Sequence, residues 1–254
     1  MQYCIERSAV FRTLRLRAGE VFAALSLGVA VITFPQEARA AGTAFGVDTA
    51  EVSEPGSCKI ESWASRADNR DVVVTANPAC VVDLLTPVEL SAQAVRSRAD
   101  GDWTGSIAPK AKAKLVPTQI GSFGFALAVG SMFDLTEGEQ ATVYAYVPAT
   151  LRLSEIVRIN VNGGWLWDRT VDQHYLTYGI GLDWKLTDIL ILTVETFGQA
   201  GRSEEPAVTD PRFQVGLRLR PIDTLSFDLI YGRNINGEDA NWLTLAMTVR
   251  FPPK

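Results

Sequence analysis

The sequence predicts an all-β fold: a closed antiparallel transmembrane β-barrel of twelve strands, ten of them strongly patterned. Three observations predict it. Apolar and polar residues alternate from residue 88 almost to the C-terminus, the period of a strand with two unlike faces. The alternating runs are mostly 9 to 14 residues long, whereas globular strands average about 5–6 residues and membrane-barrel strands need about 9–11. The connections between runs alternate in length, as they do where short periplasmic turns face longer extracellular loops.

The elements follow in chain order. Arg7, Arg12, Arg15 and Arg17 precede an uncharged apolar run, Val21 to Phe34, and Ala38-Arg39-Ala40 places small residues where a signal peptidase reads. This reads as a secretory signal peptide over 1–40. A membrane anchor is disfavoured because a spanning helix needs about 20 apolar residues. Residues 41–57 carry Gly, Ser, Pro and Glu with no clear period and read as a flexible periplasmic tail. The barrel is expected over 58–254. Cys4 leaves with the signal peptide, so Cys58 and Cys80 remain, and an oxidising periplasm makes a disulfide between them the default.

Two weakly patterned strands, 59–67 and 71–77, come first. Ten stronger ones follow: 88–99, 102–116, 120–133, 141–152, 156–167, 174–184, 189–200, 212–220, 225–233 and 242–251. In the run 212–220, Phe213, Val215, Leu217 and Leu219 oppose Arg212, Gln214, Gly216, Arg218 and Arg220. In the last run, Leu243, Leu245, Met247, Val249 and Phe251 oppose Thr244, Ala246, Thr248 and Arg250. Pro109 and Pro148 fall inside runs, and each implies a bulge or an early strand end because proline removes a ladder donor. Reading back from the C-terminus, the connections run long, short, long, short; Pro78 to Pro87 breaks the rule, being long where a short turn is expected.

The final run ends in an aromatic, Phe251, resembling the signal by which barrel-assembly machinery recognises its clients, although Pro252-Pro253-Lys254 follows here. Trp103, Phe133, Trp165 and Trp167 fall at the expected outer strand ends, and Trp184 and Phe251 at the inner ends. They are candidate membrane-interface aromatics in contact with outer-membrane lipid. The polar faces carry Lys110, Lys112, Lys114, Arg152, Arg158, Arg212, Arg218, Arg220 and Arg250 against Glu89, Asp183, Glu195 and Asp228. These are candidate pore-lining residues, giving either an anion-preferring path or an interior salt-bridge lattice. Barrels of eight strands are filled and those of 16–18 hold aqueous channels, so twelve strands leave either open.

The one histidine, His174, shares the parity of the apolar Leu176, which turns it away from Asp172 or Ser203 as triad partners. No nucleophile elbow, metal-spaced cluster or phosphate loop occurs, so neither an enzyme, a metal nor a cofactor is expected. A net charge of −5 gives no reason to expect a nucleic-acid partner.

The run Arg212 to Pro221 and the run Asp228-Leu229-Ile230-Tyr231-Gly232-Arg233-Asn234 resemble the outer-membrane barrels of the meta-pathway phenol-degradation family. The resemblance covers about residues 141–251. It implies an uptake channel for small, aromatic compounds and assigns no catalytic residue. The sequence therefore predicts a passive outer-membrane channel of a Gram-negative bacterium for small solutes, aromatic or anionic, with the longer loops 168–173, 201–211 and 234–241 as gates. The alternatives are an outer-membrane lipid hydrolase and a filled structural or adhesion barrel. The oligomeric state is not legible.

Overall fold

Alternation dictates strands, and the computed structural model shows them. It describes residues 44–99, 101–201, 208–209, 211–235 and 240–253; the expected signal peptide lies outside these. The strands are β1 (Cys58–Ala67), β2 (Val72–Asp83), β3 (Pro87–Ala99), β4 (Asp102–Val116), β5 (Phe123–Asp134), β6 (Glu139–Arg152) and β7 (Val157–Asp168). They continue with β8 (Gln173–Lys185), β9 (Leu190–Gly201), β10 (Val208–Thr209), β11 (Arg212–Ile222), β12 (Leu225–Asn234) and β13 (Asn241–Phe251). Every pairing between successive wall strands is antiparallel, and β1 pairs with both β2 and β13, which closes the ring. The two-residue β10 only extends the loop-side end of β9. The wall is thus the expected twelve strands, each paired with a neighbour on both sides, which leaves the ring without an open sheet edge among the described residues.

Strand bounds depart from the sequence reading chiefly in β2, which continues through Pro78 to Asp83. The apparent long connection before Pro87 shrinks to residues 84–86, and the exception to the turn rule disappears. Pro109 and Pro148 also stay inside their strands without the expected bulges. The β4–β5 ladder omits the Pro109 pairing and the β5–β6 ladder omits the Pro148 pairing, while the register on either side is unchanged. Each proline keeps its place because only one of its two neighbouring ladders loses pairs. The register shifts lie elsewhere, at Lys114/Val116, Met132/Phe133 and Leu219/Ile222.

One end of the barrel carries the start of β1 and the end of β13, with turns 84–86, 117–122, 153–156, 186–189 and 223–224. The other carries the connections 68–71, 100–101, 135–138, 169–172, 202–211 and 235–240. The expected length contrast holds only for the last two connections, because 117–122 exceeds 100–101. Residues 169–172 form a tight turn, and the other two expected gates lie partly outside the described residues.

The two faces are chemically opposite. Leu176, Ile180, Leu217, Leu229 and Leu245 point outward and are exposed. Thr75, Asn77, Thr142, Thr150, Gln214, Thr244 and Thr248 point inward and are buried. A soluble protein would bury the first set and expose the second. Cys58 and Cys80 stand directly opposite in the β1–β2 register, 4.0 Å apart at Cα, and are bonded as a disulfide at the termini end.

The tail was expected to be flexible. Instead, its described part, residues 44–57, begins inside the ring: Phe45, Val47, Asp48, Ala50 and Val52 are all buried. Residues 54–57 then leave the lumen toward β1, where the Gly56 N–H donates to the Val81 carbonyl at 2.8 Å.

Candidate functional site

Among the described residues, buried polar and charged side chains gather in the lumen, and residues 44–53 cross it. Phe45 lies under the Arg218 guanidinium, 5.2 Å from ring centroid to Cζ. Its ring fills the space left by Gly216, where an added Cβ would stand 2.7 Å from Phe45 Cε1. Val47 similarly fills the space over Gly179, whose Cβ would fall 2.9 Å from Val47 Cγ2. Glycine at inward positions of β8 and β11 thus admits a second backbone close to the wall. The Gly46 and Val47 N–H groups both donate to the Glu195 carboxylate, which also accepts from Gln214.

Asp48 is the main anchor. Lys112 Nζ approaches it at 3.0 Å, Lys110 Nζ at 3.4 Å, and Tyr146 donates its hydroxyl at 2.8 Å. The Asn162 amide brackets the Asp48 backbone, donating to its carbonyl at 2.9 Å and accepting its N–H at 2.7 Å. Ala50 N–H donates to Thr150 Oγ1 at 2.9 Å, and Glu51 pairs with Arg158 at 2.8 Å. A buried carboxylate is costly unless its charge and lone pairs are satisfied, and Asp48 has both kinds of partner. The segment is therefore fastened from β4 round to β11.

It also divides the lumen. On the loop side lies a cavity of about 160 Å³ whose lining includes Trp63, Met132, Tyr144, Tyr146, Phe197 and Gly46. Thr75, Ser97, Thr142 and Thr177 add hydroxyls to the same lining. On the termini side lies a charged cavity of about 410 Å³, lined by Asp48, Glu51, Glu61, Glu89, Asp183 and Glu195 and by Lys59, Lys112, Arg158, Arg218, Arg220 and Arg250. The sequence reading made the lumen net positive. The structure makes this half of it balanced, because Asp48 and Glu51 arrive with the segment and Glu61 projects inward from β1.

Each candidate pore residue can now be placed. Lys110, Lys112, Asp183, Glu195, Arg212 and Asp228 are buried inside the ring. Arg158 pairs with Asp183 at 2.6 Å, and that carboxylate also accepts from Asn160 and Thr193. Arg218 grips Asp228 through two nitrogens at 2.6 and 3.2 Å. Lys59, which the sequence did not single out, pairs with Glu61 at 3.3 Å and Glu89 at 3.1 Å. Lys114 and Arg220 share the inward faces of β4 and β11, and Arg152 pairs with Glu155 at 3.3 Å. The aromatics Trp103, Phe133, Trp165, Trp184 and Phe251 are exposed on the outward face, with Trp167 half-buried. His174 stacks on that same face against Trp165 and Trp167, at 5.5 and 5.8 Å between centroids. Ser203 lies outside the described residues.

The sequence reading missed Trp63, Tyr144, Tyr146 and the whole 44–53 segment. Two signals pointed to the segment: Phe45, Val47 and the charged Asp48 in an otherwise small-residue stretch, and the glycines at inward positions of β8 and β11.

Residues 29–251 match the family model described as Uncharacterised conserved protein UCP029691. No curated protein matches the chain in sequence. Among solved structures the barrel is similar to the NanC porin, with TM-score 0.62 and 4% identity over 75% of this chain and 98% of that one. It is similar to the KdgM porin, with TM-score 0.59 and 10% identity over 76% and 99%; one structure of that porin is a complex with disordered oligogalacturonate. The COG4313 outer membrane channel from Pseudomonas putida F1 matches with TM-score 0.59 and 12% identity over 79% and 97%. At such identities the likeness is one of fold: a closed twelve-stranded antiparallel barrel of the outer-membrane porin type, shared with these three porins and channels.

Proposed function

The chain belongs to the family described as Uncharacterised conserved protein UCP029691, and we propose that it acts as a passive outer-membrane channel for small solutes. The observation that carries this reading is a polar lumen holding two cavities in line, one toward each end, inside a wall whose outer face is apolar. Residues 1–40 direct export, the Phe251 strand is read by the barrel-assembly machinery, and Trp103, Phe133, Trp165, Trp167, Trp184 and Phe251 sit at the lipid headgroups. Passage requires segment 44–53 to shift, since it stands between the two cavities.

The solute we favour is a single-ring aromatic compound, in keeping with the resemblance to the meta-pathway phenol-degradation barrels. The loop-side cavity supports it. Its volume, about 160 Å³, is close to that of an engineered apolar cavity of about 150 Å³ that takes up benzene. Trp63, Tyr144, Tyr146 and Phe197 supply ring faces and edges, and the hydroxyls around them suit a phenol or benzoate oxygen. Liposomes carrying the refolded protein test this by swelling. Phenol and benzoate should enter, and a Tyr144→Ala/Trp63→Ala variant should lose the preference of single-ring solutes over sugars of equal size. Equal entry of all of them would remove the aromatic reading, and entry of none would remove the channel.

A second reading, a filled structural barrel, is favoured by one observation: the Asp48 network fastens the segment on several strands at once. It predicts that no solute passes.

A further inference from the structure

The ion pairs of the lumen leave an uneven remainder. Lys59, Lys112, Arg158 and Arg218 each have a carboxylate within ion-pair distance. Arg220 and Arg250 line the same cavity and have no such partner among the described residues. The Arg250 guanidinium donates to the Ser226 hydroxyl, at 3.2 Å, and to no carboxylate among the described residues. Arg220 Nε is buried and meets no acceptor. Leaving a buried donor unsatisfied is costly, and more so when it is charged.

The backbone is adapted to this arrangement. The β11–β12 register shifts between Leu219 and Ile222, so Arg220 sits in a bulge, a device that re-aims a side chain next to functional sites. Arg250 is directly opposite Lys59 in the β1–β13 register, and Arg218 lies two residues before Arg220 on the same inward face. The stretch of wall from β11 to β1 therefore carries four cations, with the carboxylates of Asp228 and Glu61 paired among them. Its neighbours Arg218 and Lys59 are already neutralised, and its two remaining guanidiniums face open volume.

We propose that Arg220 and Arg250 form a binding site for a small oxyanion, a carboxylate or phosphate, in the termini-side half of the lumen. Guanidinium forks match the paired oxygens of such groups, and the anion would supply the acceptor that Arg220 Nε lacks. The site stands whether or not the barrel conducts, because its occupancy is read at equilibrium.

The test uses the refolded full-length mature chain in an uncharged detergent, titrated calorimetrically with inorganic phosphate at constant ionic strength. Binding should be saturable. Arg220→Gln and Arg250→Gln should each raise Kd about tenfold, the cost of one charge-assisted hydrogen bond. Arg66→Gln, on an exposed position outside the cavity, should leave it unchanged. A reading independent of variant folding comes from arginine modification of the wild type by phenylglyoxal, mapped by mass spectrometry. Phosphate should protect Arg220 and Arg250 and leave Arg66 reactive. Non-saturable binding, an unchanged Kd in both variants, or no protection of either arginine overturns the proposal.

Discussion

At Gly216 an added Cβ would stand 2.7 Å from Cε1 and 2.9 Å from Cζ of Phe45, with Ile230 also within 3.0 Å. The position is an inward one on β11, where a polar side chain would otherwise be expected, and glycine there costs strand stability. Phe45 explains the choice: its ring occupies the volume and stacks under Arg218. Gly216→Val should therefore destabilise the folded barrel by roughly 1–3 kcal/mol, the usual penalty for overpacking. In a Phe45→Ala background the same change should cost less. A double-mutant cycle in urea, followed by loss of the heat-modifiable band, reads the coupling. Residues in contact show about 0.5 kcal/mol or more, and strict additivity would mean that Phe45 is not seated there.

The strands carry a different test, because their alternation assigns every residue a face. Leu217 is 41% exposed on the outer face of β11 while Gln214, on the same strand, is 2% exposed and bonded to Glu195. Arginine facing lipid near mid-strand costs about 2–4 kcal/mol, whereas arginine at position 214 has a carboxylate at hand. Leu217→Arg should thus reduce the yield of folded barrel far more than Gln214→Arg, and equal losses would reject the face assignment. The first hairpin offers another test. The Cys58–Cys80 bond closes a 22-residue separation, worth roughly 3 kcal/mol in the chain-entropy model. Cys58→Ala/Cys80→Ala should lower the unfolding midpoint yet leave the barrel closed, since the β1–β2 ladder continues through eight register pairs beyond the cysteines and β1 keeps its ladder with β13. A variant that fails to form the barrel would show that the bond is needed for assembly.

At this scale the sequence was most readable where one face meets an apolar surround. There the period of two is uninterrupted, as in β11 and β13. It was least readable in β2, where Pro78 suggests a strand end although the chain simply forgoes ladder pairs on its β3 side. Segment 44–53 was not readable as part of the fold. Its residues answer to several strands at once, through Asp48 to β4 and β6 and through Gly46 and Val47 to β9, and contacts so distant in sequence leave no period. The inward charges were legible as lumen residues, but their pairing was not. Of the candidate pore-lining arginines, Arg158 and Arg218 are held by Asp183 and Asp228, while Arg220 and Arg250 have no carboxylate within ion-pair distance among the described residues.

For the whole molecule, ring size and segment act together. This twelve-stranded ring encloses more space than its side chains fill, and the polar face of the wall is mostly threonine, serine, asparagine and ion pairs. Segment 44–53 takes up the middle of that space and leaves a cavity on either side. The fold thus combines a wall suited to conduction with an internal obstruction, and the central claim is that solute passes by displacement of that obstruction. Planar-bilayer conductance tests it most directly, comparing the wild type with a variant lacking residues 44–53, both shown to be folded by heat modifiability. The account predicts small, infrequent unitary steps for the wild type and larger, sustained ones for the variant. The absence of steps from both would contradict it and leave a filled structural barrel.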